Sequence, residues 1–185
     1  MGKIYNAMKC HMIDTTAFLM VCHPVMAAFE VNVADMSNET SMSARLLSTA
    51  FNYGGLGSVY SKGRDLSKRI FKITKDTNER MKEIHDTIYC IAFNTLVQPP
   101  FYYLAGSRNA REIAIGTTVT AAVSLLTGSA IGYAIDTYRD LTGLQESERL
   151  PSFLKLQTPK TKKYVAGLLT TVSVGALAVI YSLSK

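Results

Sequence analysis

Asp14, His23, Glu30, Asp86 and Asp136 are titratable groups set in stretches otherwise rich in apolar residues. A charge facing hydrocarbon costs several kcal/mol, so each carboxyl must face protein or water, pair with a cation, or keep its proton. Groups that gain and lose protons at such depth can couple a proton gradient to movement of a solute, and these five are the proton-coupling candidates. Glu30 is the foremost. In a helix the sixteen residues from Asp14 to Glu30 span about 24 Å, placing Asp14 at a hydrated inner edge, His23 midway and Glu30 in the outer part. His23 and Glu30, seven positions apart, project from nearly one face. The plainer readings are a hydrogen-bonded core histidine at His23 and an ion pair of Glu30 with Arg45 or Arg108.

Asp86, Cys90, Asn94, Gln98 and Tyr102 recur every fourth residue, giving one mostly polar stripe on a helix. Amides and hydroxyls can both donate and accept hydrogen bonds, as a zwitterion requires. Asn52, Asn94, Gln98 and Tyr102 are therefore the substrate-binding candidates, with interhelical packing as the competing role. Pro99 and Pro100 free carbonyls one turn earlier, near Thr95 and Leu96. Thr120, Ser124, Gly128, Gly132 and Asp136 form a second stripe whose Gly-x-x-x-Gly suits close packing of helices in lipid, so Gly128 and Gly132 are read as packing residues.

The elements that must position these groups follow from composition. The 185 residues are 48% hydrophobic and 18% charged, apolar for a soluble bundle. No charge interrupts residues 46–61, 87–107, 113–135 or 164–184, and about 20 apolar residues cross a bilayer. An all-α, polytopic membrane protein is predicted. The net charge of +6 does not point to nucleic acid, because eight basic residues lie between Lys62 and Lys82 and six between Arg139 and Lys163. Alternation of basic and charge-poor loops is the positive-inside pattern, and both basic loops are expected in the cytoplasm.

The expected order is a cytoplasmic N-terminus (1–12), a first transmembrane hairpin (13–61) turning near Met36, and a cytoplasmic amphipathic linker (62–84) with an interfacial helix in "KRIFKITKDTNERMKEI". A second hairpin (85–138), a basic cytoplasmic linker (139–163) and a fifth span (164–184) ending outside complete it. Asp14, His23, Pro24 and Glu30 interrupt the first segment too much for a signal peptide. Cys10, Cys22 and Cys90 lack metal-ligand spacing, and no metal or other cofactor is expected.

The hairpins resemble each other. "DTTAFLMVCHPVMAAFE" begins at Asp14 and "DTIYCIAFNTLVQPPFY" at Asp86, 72 positions later. The return helices end in "VYSKGRDL" and "IDTYRDL", with Arg64-Asp65 and Arg139-Asp140 read as solvated caps. Parallel repeats with prolines in corresponding helices suggest a transporter.

Asp14-Thr15, Glu30, Met36-Ser37, Ser41, Arg45-Leu46, Asn52 and Arg64-Asp65, followed by Asp86, Phe93, Gln98, Pro100, Tyr102, Ser124, Gly128, Gly132-Tyr133, Asp136 and Arg139, carry a resemblance to the alanine exporter (AlaE-type) family. It runs from Asp14 to Arg139; His23-Pro24 and the fifth span depart from it. The resemblance implies four spans in the inner membrane and proton-driven export of L-alanine, hence an antiporter. The expected partners are a small amino-acid substrate, protons, the lipid bilayer and further copies of the chain in a homo-oligomer. A different reading is a non-transporting adaptor that recruits a partner through its basic loops. No Ser/His/Asp set, metal motif or phosphate loop recommends an enzyme.

Overall fold

The structure, a computed structural model, describes residues 2–32, 37–104 and 108–184, with the backbone alone at 3, 40, 102, 104 and 112. The expected outer turn at Met36 lies outside the described residues. Helix α1 runs Gly2–Asn32, α2 Asn38–Phe51, α3 Gly57–Ile70, α4 Glu79–Leu104, α5 Ala110–Leu141, α6 Ser152–Lys155 and α7 Pro159–Leu183, and a π-helical turn, Asn52–Leu56, joins α2 to α3. Three stretches are long and apolar enough to cross a membrane: Ile4–Asn32, Ile113–Leu141 and Pro159–Leu183. The chain is an all-α polytopic membrane protein. Only 6% of the apolar window of α7 is buried by protein, leaving Leu168, Val172 and Val179 a surface suited to lipid.

The basic linker differs from expectation. Instead of one interfacial helix, α3 ends at Ile70 and the chain turns before α4. Lys72 takes a left-handed φ of 54°. Ile73 N–H then bonds Lys68 O at 2.8 Å and Lys72 N–H bonds Arg69 O at 3.2 Å, which closes the helix end with a Schellman pair. Further on, the Thr77 hydroxyl accepts from Thr74 N–H and the Asn78 amide oxygen from Arg80 N–H. These short side chains satisfy backbone groups that a continuous helix would have used.

Two compact units divide the chain, Met1–Gly63 with Tyr133–Lys185, and Arg64–Gly132. In the first, α1 is continuous through Pro24. Proline has no N–H, so the Met20 carbonyl one turn earlier loses its helical donor. The Ser173 hydroxyl of α7 donates to that carbonyl at 2.7 Å. Gly57 packs on α1: a Cβ there would meet the Thr15 hydroxyl oxygen at 2.2 Å. In the π-helical turn Gly55 has φ 134°, which only glycine adopts without strain.

The second unit brings α4 and α5 together through glycine. A Cβ on Gly128 would lie 2.6 Å from the Thr87 Cα, and one on Gly132 2.1 Å from the Asp86 carboxylate. The Gly-x-x-x-Gly stripe thus faces α4, and a helix neighbour rather than lipid occupies its groove.

Candidate functional site: buried carboxylates held by arginine

Asp14 is 1% exposed and Asp86 is fully buried. Within the first unit, Arg139 donates from Nε to Asp14 Oδ1 at 2.8 Å and from Nη2 to Oδ2 at 2.6 Å. Within the second, Arg64 donates from Nε to Asp86 Oδ1 at 2.7 Å and from Nη2 to Oδ2 at 2.8 Å. Both are bidentate fork-to-fork pairs, the geometry that makes Arg–carboxylate contacts strong. Arg64 also donates to the Gly132 carbonyl at 3.0 Å, and Gly132 must stay small because a Cβ there would strike the Asp86 carboxylate. His85 Nδ1 stands 3.3 Å from Asp86 Oδ1, and its Nε2 2.9 Å from the Ser67 hydroxyl.

These pairs correct two expectations. Asp14 is not at a hydrated edge; guanidinium has replaced its water. Arg64 and Arg139 are not solvated caps but 0% and 5% exposed. The signal was present in the repeat, because each Asp-Thr finds the Arg-Asp that closes the other half of the sequence: Asp14 with Arg139, Asp86 with Arg64. Asp140, beside Arg139, accepts from Lys162 Nζ at 2.8 Å and from Ser147 N–H at 2.7 Å. Asp136 meets Arg149 Nη1 at 3.1 Å.

Glu30 closes α1 onto α2. Arg45 Nη2 lies 2.5 Å from its Oε1, and the fully buried Ser41 donates to its Oε2 at 2.6 Å. Arg45 was one of the two partners expected from sequence. His23, seven residues earlier, is 8% exposed, and its Nε2 has no hydrogen-bond partner among the described residues. Ser41 Oγ also stands 3.0 Å from the Tyr181 hydroxyl of α7. Nothing in the sequence spacing foretold Tyr181, which comes 140 residues after Ser41.

The amide candidates fall in different units. Asn52 is buried in the first and turns its NH₂ back to the Ser48 carbonyl at 2.8 Å. In the second, Asn94 donates to the Ser124 hydroxyl at 2.7 Å, joining the polar stripe of α4 to that of α5, while Gln98 is half-buried on α4. The Tyr102 side chain lies outside the described residues. Among the described residues no group of three or more His, Cys, Asp or Glu side chains is arranged to hold a metal.

A protein family described as AlaE, L-alanine exporter, matches residues 4–145. The L-alanine exporter AlaE of Pectobacterium parmentieri (strain WPP163) is similar at 26% identity over 128 residues, which is 69% of this chain and 87% of that one. No solved structure matches.

Proposed function

The chain belongs to the AlaE family of L-alanine exporters, and on that premise we propose that it exports a small neutral amino acid, L-alanine first, driven by the proton gradient. The observation that carries the reading is the family match from residue 4 to residue 145. Glu30 is the coupling group. As a carboxylate it links α1 to α2 through Arg45 and Ser41. A proton arriving from outside neutralises the carboxylate and loosens its ion pair with Arg45; release of the proton inside restores the pair. Such a contact has two discrete arrangements, which an exporter needs to alternate its access.

Asp14 and Asp136 in the first unit and Asp86 in the second are further inner-side carboxyls that exchange protons, each balanced by its own arginine, and His23 serves on the same face as Glu30. Within the second unit Asn94, Gln98 and Tyr102, and within the first Asn52, each offer hydrogen bonds to the ammonium or carboxylate of a substrate. The protein resides in the inner membrane as a homo-oligomer, since four thin helices enclose little; its N-terminus is cytoplasmic and its C-terminus outside, because residues 62–84 and 139–163 hold most of the basic charge. The test is efflux of labelled alanine from proteoliposomes with and without an imposed pH gradient. Efflux that ignores the gradient defeats the coupling, and no efflux of any neutral amino acid defeats the transporter.

A further inference from the structure

Helix α7 lies beyond the matched residues 4–145, yet it is tied to the rest of its unit along its whole length. Lys162 near its start pairs with Asp140 at 2.8 Å, and Thr170 Oγ1 meets the Tyr138 hydroxyl at 2.9 Å. Ser173 supplies the hydrogen bond that Pro24 withholds from Met20. At the far end the Asn38 amide donates to the Tyr181 carbonyl at 3.0 Å, and Ser184 Oγ donates back to Asn38 Oδ1 at 2.6 Å. An anchor needs none of these polar contacts, whereas a helix held in fixed register needs several.

That register puts one hydroxyl against the Glu30 network. Ser41 has a single hydroxyl proton, which it gives to Glu30 Oε2. Its oxygen must therefore accept the proton of Tyr181, making a chain from Tyr181 to Ser41 to Glu30. When the carboxyl carries its own proton, the chain can reverse, with Glu30 donating to Ser41 and Ser41 to Tyr181. A reversible pair of hydroxyls satisfies Glu30 in both protonation states without moving the backbone. We propose that Tyr181 is a positioning residue for Glu30, acting through Ser41, so that α7 is a working part of the exporter. The proposal rests on the reading of Glu30 as the coupling group. Among the described residues, the charged and titratable groups around that carboxyl are Arg45 from α2, Tyr181 from α7 and His23 on its own helix.

The experiment uses the full chain in proteoliposomes and compares Tyr181→Phe, Ser41→Ala, Asn38→Ala and Glu30→Gln. Each is measured for uphill alanine export, alanine exchange and melting temperature. Tyr181→Phe removes one oxygen and should lower uphill export about five-fold, the effect of one hydrogen bond between neutral hydroxyls, with exchange and melting temperature unchanged. Ser41→Ala, which takes the donor from the buried carboxylate itself, should lower export further and melting temperature somewhat, with exchange persisting. Asn38→Ala, which frees the end of α7 that carries Tyr181, should lower the ratio of export to exchange in the same direction but less. The inference is overturned if Tyr181→Phe exports uphill at the parent rate while Glu30→Gln does not, and equally if Tyr181→Phe loses both modes together with a lower melting temperature. Should Glu30→Gln itself export uphill normally, the coupling reading fails and takes the inference with it.

Discussion

Asp14 and Arg139 are 125 positions apart, yet they meet fork to fork at 2.8 and 2.6 Å with almost no solvent exposure. Asp86 and Arg64 repeat the arrangement. The Asp-Thr and Arg-Asp signatures of the two halves are therefore not terminal decorations on helices. Each acid that opens a half is neutralised by the arginine that closes the other.

Removing one partner should be severe. Asp14→Asn leaves the Arg139 guanidinium buried without its counter-charge, which typically costs about 3–5 kcal/mol. A carboxyl at a hydrated edge would have tolerated the same change. The expected result is a lower melting temperature in detergent and poor yield, with partial recovery when Arg139→Gln removes the stranded charge. A single variant that melts like the parent would show that water reaches the pair.

Gly132 guards the second pair. A methyl group there would sit 2.1 Å from Asp86 Oδ2 and 2.3 Å from its Cγ, so Gly132→Ala must push the carboxylate off Arg64. Overpacking of this kind costs about 1–3 kcal/mol, to which the damaged ion pair adds. Gly128→Ala meets backbone at Thr87, which cannot rotate away. Both variants should lose folded yield and alanine export together, and Gly132→Leu more so. Normal yield of Gly132→Leu would mean that α5 does not pack on α4 at this point.

Much of this was legible in sequence because hydropathy and small-residue spacing are local properties. The charge-free windows at 113–135 and 164–184 fall on the membrane helices α5 and α7, α1 was read as a span in spite of its carboxyls, and Gly128-x-x-x-Gly132 gave a packing face. Asp14–Arg139 and Glu30–Ser41–Tyr181 were harder to read, since a pair joined across 125 or 140 residues leaves no periodic trace. The linker helix failed for a local reason: Thr77 and Asn78 offered the backbone nearer partners than a helix would. The turn at Asn52–Leu56 escaped for another, as glycines suited to close contact do not announce which of them will carry φ 134°.

The proposed orientation has its own test. Asp76 is exposed in the turn between α3 and α4, within the stretch from Lys62 to Lys82 whose eight basic residues assign it to the cytoplasm. Asp76→Cys, in a background whose Cys10, Cys22 and Cys90 are replaced by Ala, should react with an impermeant thiol reagent only after cells are opened. Reaction in intact cells would invert the topology and put the basic loops outside.

Glu30→Gln separates a coupling group from a structural one. Glutamine keeps the size of a protonated carboxyl, and its amide can still face Ser41 and Arg45, but it has no proton to release. Loss of the charge leaves Arg45 without its counter-ion, so some stability should go, and Arg45→Gln in the same background should return part of it. Transport is the sharper readout. Net uphill export requires a proton to be bound on one side and released on the other, and it should vanish in Glu30→Gln with or without the second change. Exchange of labelled for unlabelled alanine moves no net proton, so it should persist in the molecules that fold. Both modes are to be measured in the same vesicles, scaled to folded protein. Uphill export at the parent rate would reduce Glu30 to an interhelical ion pair with Arg45, and the proton would have to be carried by another of the buried carboxyls.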